Sequence, residues 1–157
     1  MEANSVLLKP PVNDVWNTPQ WLFEALDKEF GFTLDPCSDG DNAKCAKFFT
    51  QTDNGLLMDW ATETVFMNPP YSEVGDWMRK AYGAAQEGAT VVCLVPSRTD
   101  SHWWHDYAMK GEIRFIRGRL CFGDDVRRFG VRSRSAPFAS AIIVLRPREF
   151  KLVSANV

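Results

Sequence analysis

Apolar residues along this chain fall into blocks whose spacing separates helices from strands. After Thr18-Pro19, a capping residue followed by proline at the first helical position, Leu22, Leu26 and Phe30 recur at helical intervals until Gly31, which predicts a helix over 19–30. Trp77, Ala81, Ala84 and Ala85 mark the inward face of a second helix over 74–86, with Gly88 as its stop. Val65-Phe66-Met67 predicts a short strand over 65–68. The unbroken run 89–95, ending at Pro96, is the pattern of a strand buried on both faces. Further signals predict a brief strand at Phe32-Thr33-Leu34, a helical turn over 43–48, a helix from about Ser101 through Met109, and strands over 112–116 and 139–145. This alternation predicts an α/β domain with a mostly parallel sheet covered on both faces. The frame is a polar leader over 1–15, one domain over 16–150 and a tail over 151–157.

Composition narrows the class. A chain of 157 residues without repeats or low-complexity tracts has the length for one buried core. No apolar run is long enough to span a bilayer, and Met1-Glu2-Ala3-Asn4-Ser5 lacks the basic-then-apolar layout of a signal peptide, so a cytoplasmic location is expected. Cys37, Cys45, Cys93 and Cys121 form no Cys-x-x-Cys pair and lie far from His102 and His105, so free thiols and no metal site are expected.

The net charge is −2, yet it is unevenly spread. Nine arginines fall between Arg114 and Arg148 against only Asp124 and Asp125, giving that segment +7 and the remainder −9. Arginine grips phosphates and guanine edges through a planar fork, so the asymmetry points to nucleic acid. Within it lies a polar stretch, 123–135, carrying Arg127, Arg128, Arg132 and Arg134. A connection that long with no structural pattern of its own is usually functional or disordered.

The feature that bears most on chemistry is Asn68-Pro69-Pro70-Tyr71, directly after the strand signal at 65–67. An exocyclic amine on adenine is a poor nucleophile because its lone pair is delocalised into the ring. An Asn side-chain oxygen and a neighbouring backbone carbonyl can accept its two N–H groups and draw the nitrogen toward tetrahedral geometry. Pro69 and Pro70 stiffen the chain and leave a carbonyl free to face the site. Tyr71 offers a flat face to a base extruded from the stack. A strand running into such a loop is where open α/β sheets place their ligands.

With Leu34-Asp35-Pro36-Cys37-Ser38 and Thr18-Pro19 upstream, the chain resembles the phage-type, Dam-like DNA N6-adenine methyltransferases from Trp16 to about Pro147. Further matching pieces are Gly55-Leu56-Leu57 leading to Asp59-Trp60, the run 94–99, Gly118-Arg119-Leu120-Cys121-Phe122, and Ala136-Pro137-Phe138-Ala139-Ser140. The resemblance implies S-adenosylmethionine as methyl donor and adenine in double-stranded DNA as acceptor. It also implies a compact class I (Rossmann-like) three-layer sandwich, whose family sheet has seven strands with the last antiparallel. Carried over, Asn68, Pro69, Pro70 and Tyr71 are the catalytic loop. Thr18, Pro19, Asp35 and Pro36 hold the amino-acid end of the donor, and Cys37, Ser38 and Asn68 also contact it. Asp59 accepts from its adenine amino group, with Trp60 or Phe49 as a wall. The four arginines of 123–135 contact DNA, and Arg98 and Arg119, which follow strands, either contact phosphate or substrate as well or form structural ion pairs. The family's glycine-rich donor loop is replaced by Asp35-Pro36-Cys37-Ser38-Asp39-Gly40-Asp41-Asn42, with one glycine, and the acid for the donor's ribose stays open among Asp39, Asp41 and Asp53. The same tetrapeptide also serves methylation of RNA adenines or protein glutamines, and a non-catalytic DNA-binding relative is a third class.

Overall fold

The structure, a computed structural model, describes residues 16–122 and 135–148. Its sheet has four strands, β1 (Thr64–Met67), β2 (Thr90–Pro96), β3 (Glu112–Phe115) and β4 (Ser140–Leu145), in the order β1-β2-β4-β3. β1 and β2 are parallel, while β4 is antiparallel to both of its neighbours. The first three strands therefore run one way and the last is inserted between β2 and β3 in the opposite sense. This is the expected mixed sheet with an antiparallel final strand, with four strands among the described residues where the resemblance implied seven. Phe32-Thr33-Leu34 contributes no strand of its own. Leu34 bridges Val65 in parallel and Asp35 bridges Phe48, which sets Asp35 beside the end of β1.

Strand alternation divides the core in two. Val65, Met67, Val91, Cys93, Val95, Ala141, Ile143 and Leu145 face α2 (Val74–Gln86) and Trp104 of α3 (His102–Asp106). Phe66, Val92, Leu94, Ile142 and Val144 face Leu22, Phe23 and Leu26 of α1 (Gln20–Phe30). No residue of these two strand rows is more than 3% exposed, so the sheet is covered on both sides. Each fully buried Val, Leu or Ile is worth about 1.5–3 kcal/mol, which makes this double burial the main support of the sheet edge that carries the loops.

Several expectations are corrected in detail. No helical turn forms over 43–48, because the Lys44 amide donates to Asp35 Oδ2 at 3.0 Å instead of to a carbonyl one turn back. The third helix stops at Asp106, where Tyr107 leaves helical geometry, and a 3₁₀ turn at Ala108–Lys110 follows. Trp21, an aromatic residue within the helical segment and of the kind that usually packs inward, is 57% exposed, since Leu22, Phe23 and Leu26 already fill the inward face of α1. Among the described residues no helix is long and apolar enough to cross a membrane. The leader 1–15, the segment 123–134 with its four arginines, and the tail 151–157 lie outside the described residues.

Candidate active site

The topology brings the candidate loops to one edge. Because β1, β2 and β3 run the same way and β4 the other, the turn after Asp35, the tetrapeptide after β1, the loop after β2, the segment 116–122 after β3 and the segment 135–139 before β4 all emerge together. Two adjoining clefts open there. The smaller, about 70 Å³, is lined by Trp16, Asn17, Thr18, Asp35, Lys44 and Phe66 together with Asn68 and Pro69. The larger, about 630 Å³, is lined by Pro36, Ser38, Asp39, Thr50, Asn54, Gly55, Leu56, Glu73 and Trp77, among others. Cys37, Asn42 and Pro70 line both.

Asn68 sits at the junction of β1 and the smaller cleft. Its Nδ2 donates to the Trp16 carbonyl at 2.5 Å and to Thr18 Oγ1 at 2.9 Å. Its Oδ1 is buried and without a hydrogen-bond partner among the described residues. An unpaired buried acceptor costs about 1–3 kcal/mol, a cost a donor arriving from a substrate would remove. Thr18, expected as the cap of α1, does not cap it. The Leu22 and Phe23 amides reach the Pro19 carbonyl instead, and the hydroxyl is taken by Asn68.

Tyr71 is only 3% exposed. Its ring meets Phe138 edge-on at 5.3 Å and Phe122 at 6.5 Å, while Trp16 meets the same two phenylalanines at 5.3 and 5.4 Å. The flat face expected to receive a base is thus covered in this structure by rings from the two flanks of 123–134. Burial pushes the Tyr71 phenol well above its ordinary range, opposed only by the nearby charge of Arg98, so it stays neutral at physiological pH. Its hydroxyl also has no partner among the described residues.

Asp35 is buried beneath the turn it shapes. Oδ1 accepts the Cys37 amide at 3.1 Å and Oδ2 the Lys44 amide at 3.0 Å. Burial raises its pKa, and these two amide bonds pull the other way. The turn itself shows how one glycine suffices. Ser38 Oγ accepts the Gly40 amide at 2.8 Å, Asp39 Oδ1 accepts those of Asp41 and Asn42 at 2.9 Å, and Gly40 takes φ 96°. Polar side chains fold the loop where the family pattern uses glycines. Close approach occurs instead at Gly55, where a Cβ would lie 2.3 Å from the Pro36 carbonyl.

The remaining sequence candidates are distributed as follows. Pro36, Cys37 and Ser38 line the larger cleft and Thr18 the smaller. Pro19 is buried and starts α1. Asp59 and Trp60 stand outside both linings. The Asp59 carboxylate accepts the Ala61 amide at 2.8 Å, and Trp60 is wholly buried, donating to the Gly55 carbonyl at 3.0 Å and stacking on Trp77. Phe49 is packed against the core, and of the three acids left open for the ribose only Asp39 reaches a cleft. Arg98 is exposed on the loop after β2. Arg119 donates to the Ala136 carbonyl at 3.4 Å, beside the backbone bond from Ala136 to Leu120 that pins the two flanks of 123–134 together.

The family profile for "DNA N-6-adenine-methyltransferase (Dam)" matches residues 5–155, nearly the whole chain. The chain belongs to this family. Among Dam-family relatives, the DNA N-6-adenine-methyltransferase of Haemophilus phage HP1 is 33% identical over 107 residues, covering 66% of this chain and 62% of that protein. The enzyme of the same name from Escherichia phage T1 is 26% identical over 132 residues, 68% of this chain and 56% of that protein. YfdM of Escherichia coli (strain K12), named as an unconfirmed methyltransferase, is 45% identical over 67 residues, 38% of this chain. The chain therefore spans little more than half the length of the two phage relatives it matches.

Sequence reasoning in the Dam family's terms missed Trp16, Asn17, Asn42 and Lys44 in the smaller cleft, and Asn54, Leu56, Glu73 and Trp77 in the larger. Asn54 carried a signal, since asparagine before glycine often marks a left-handed turn, and it takes φ 55°. Trp77 carried the opposite one, because its helical spacing marked it as core, and it serves as both core and wall.

Proposed function

We propose that this chain transfers a methyl group from S-adenosylmethionine to N6 of adenine in double-stranded DNA, on a compact class I (Rossmann-like) methyltransferase scaffold in the cytoplasm of the bacterial host. The observation that carries the reading is Asn68. At the end of β1, in the family's tetrapeptide, its amide is held by both N–H groups while Oδ1 is buried and unpartnered.

The larger cleft suits a donor of this kind. Its volume of about 630 Å³ falls within the roughly 300–1,000 Å³ typical of small-molecule sites. Leu56 and Trp77 provide apolar wall for a nucleoside, Asn54 and Thr50 provide amide and hydroxyl groups, and Asp39 and Glu73 provide carboxylates. Asp35 and the Pro36-Cys37-Ser38 turn lie where the two clefts meet and would take the donor's amino-acid end. Bound there, S-adenosylmethionine supplies an electrophilic methyl on a cationic sulfur.

The protein's own work is then positioning and polarisation, with no nucleophile or strong base required. Asn68 Oδ1 accepts a hydrogen bond from one N–H of the adenine amine and the Pro69 carbonyl from the other, which localises the nitrogen lone pair. As the N–CH₃ bond forms the S–CH₃ bond breaks, leaving a neutral thioether, and the surplus proton of the amine passes to water. Cys37, whose thiol is kept neutral chiefly by burial, adds no charge to this space. Trp16, Tyr71, Phe122 and Phe138 must part to admit the base, exchanging ring contacts with one another for stacking on it. The arginines of 123–135 and Arg98 would hold the duplex by its phosphates.

Incubation of the purified chain with S-adenosylmethionine and mixed-sequence duplex DNA, followed by nucleoside mass spectrometry, tests this reading. Wild type is expected to form N6-methyladenosine and Asn68→Ala to lose it. Formation of the mark on RNA but not DNA would redirect the reading to an RNA acceptor, and none on either would remove the catalytic role.

A further inference from the structure

We infer that Thr18 is a positioning residue: the main-chain carbonyl of Trp16 sets the flip of the Asn68 amide, and Thr18, accepting the second N–H, holds the amide in that orientation, so that Oδ1 and not Nδ2 is presented to the adenine amine. The inference rests on the adenine-N6 reading above and deepens it, moving Thr18 from the donor-binding set to the acceptor clamp.

An Asn amide turned by half a revolution about its last torsion keeps nearly the same shape while exchanging oxygen for nitrogen. Its neighbours alone decide between the two. A carbonyl can only accept, so the amide atom 2.5 Å from the Trp16 oxygen has to be the nitrogen. Thr18 Oγ1, at 2.9 Å, accepts the second N–H. Both donors of the amide are thereby used, and Oδ1 is left free to accept. The reverse flip would set oxygen lone pairs against the Trp16 carbonyl. It would also place an N–H₂ group where the adenine amine must donate, so the flip that fails chemically also fails structurally.

The segment that performs this selection is itself braced. Asn17 Oδ1 accepts from Asn42 Nδ2 at 2.9 Å, and Asn42 Oδ1 accepts from Ser38 Oγ at 3.1 Å and the Asp39 amide at 2.9 Å. Residues 16–18 are thus tied to the turn that borders the larger cleft on one side and to Asn68 on the other. Thr18 is 3% exposed, and its hydroxyl is not used to start α1. The arrangement also explains why asparagine stands at 68. Aspartate accepts hydrogen bonds from an amine equally well but has no N–H for Trp16 or Thr18.

The test compares wild type with T18V, T18S and N68D. Three quantities are read: single-turnover methyl transfer to duplex DNA, calorimetric affinity for S-adenosylmethionine, and proton exchange of the ¹⁵N-labelled Asn68 side-chain amide in the protein alone. T18V is expected to slow transfer about 10- to 100-fold, the range for losing one orienting hydrogen bond, with donor affinity changed by less than about threefold. T18S is expected to restore the rate to within about threefold of wild type, since it returns the one hydrogen bond. N68D is expected to lose at least as much as T18V. The amide protons of Asn68 should exchange faster in T18V than in wild type or T18S. A T18V protein that transfers normally at saturation but binds donor weakly would make Thr18 a donor contact and overturn the inference. So would N68D at wild-type rate, or an unchanged amide exchange. The exchange measurement needs no activity, so a wild type that methylates nothing would defeat the functional reading while the hold of Thr18 on the Asn68 amide is still decided. Should T18V not fold, T18A decides it by the same amide exchange and transfer rate.

Discussion

Gly55→Ala isolates the contact between the turn after Asp35 and the wall of the larger cleft. A Cβ at this position would lie 2.3 Å from the Pro36 carbonyl oxygen, 3.3 Å from its carbon and 3.1 Å from the Trp77 ring. The nearest atom is backbone, so no rotamer change relieves the overlap and the turn after Asp35 has to move. Overpacking of this kind costs about 1–3 kcal/mol. Any shift also strains the bond from Trp60 Nε1 to the Gly55 carbonyl, 3.0 Å long and fully buried, whose loss costs about 1–3 kcal/mol. With both effects partly relieved by relaxation, we expect about 2–4 kcal/mol of destabilisation. At this chain length that lowers Tm by about 5–15 °C. Because Pro36 and Gly55 both line the larger cleft, affinity for S-adenosylmethionine should fall with it. The assay is a thermal melt paired with calorimetric donor titration at a temperature where the variant is folded. Gly83→Ala is the control. Gly83 is helical, exposed and has nothing within 4 Å of an added Cβ, so it should gain about 0.5–1 kcal/mol from helix propensity and melt higher. A G55A protein that melts with wild type and binds donor equally well would refute the claim that this close approach shapes the cleft.

Three further outcomes are expected. Tyr71→Phe removes a buried hydroxyl without a partner among the described residues, so it should melt at or above wild type by up to about 1 kcal/mol while keeping the ring; clear destabilisation would mean that the hydroxyl is satisfied. Donor affinity should depend on the Asp35 carboxylate. If the charged form holds the donor's ammonium, affinity is present above the Asp35 pKa and lost as pH falls through it, and because burial raises that pKa the loss should begin above the ordinary value of about 3.9; titrations that stay flat down to that value would exclude the role. Arg98→Ala should weaken duplex binding equally across sequences and reduce the slope of log affinity against log salt by about one; an unchanged slope would remove Arg98 from the DNA contacts.

The parts of this molecule that sequence made legible are those where local periodicity and burial agree. The helix over 74–86 appears with the expected bounds, its inward Trp77, Ala81, Ala84 and Ala85 all buried, and the apolar run before Pro96 is β2 within a residue. The tetrapeptide's place at a strand end was legible for the same reason, because the three apolar residues before it are the buried part of β1. What was not legible depends on partners distant in sequence. The insertion of β4 between β2 and β3 is a pairing between strands far apart in the chain, and no pattern within 140–145 specifies it. Residues 43–48 depart from a helical turn because a single carboxylate at Asp35 captures the amide of Lys44, and Trp21 faces outward because helical spacing alone does not say how wide an inward face the sheet can accept.

Thr18 shows the same limit from the other side. Threonine before proline at the start of a helix has a sufficient local explanation, and that explanation left nothing over to suggest a second use for the hydroxyl. Only with β1 folded beside residues 16–18 does the oxygen meet Asn68, fifty residues further on. The helix then begins without its side-chain cap, at a cost of about 1 kcal/mol where such a cap would have formed. A fold that forgoes a cap worth that much, and that leaves Asn68 Oδ1 buried and unpartnered among the described residues at a similar cost, spends stability twice at one point. Such local deficits gather where the chain is shaped for a ligand and not for its own packing. Here both converge on a single amide oxygen, the atom that the proposed methyl transfer assigns to the adenine amine.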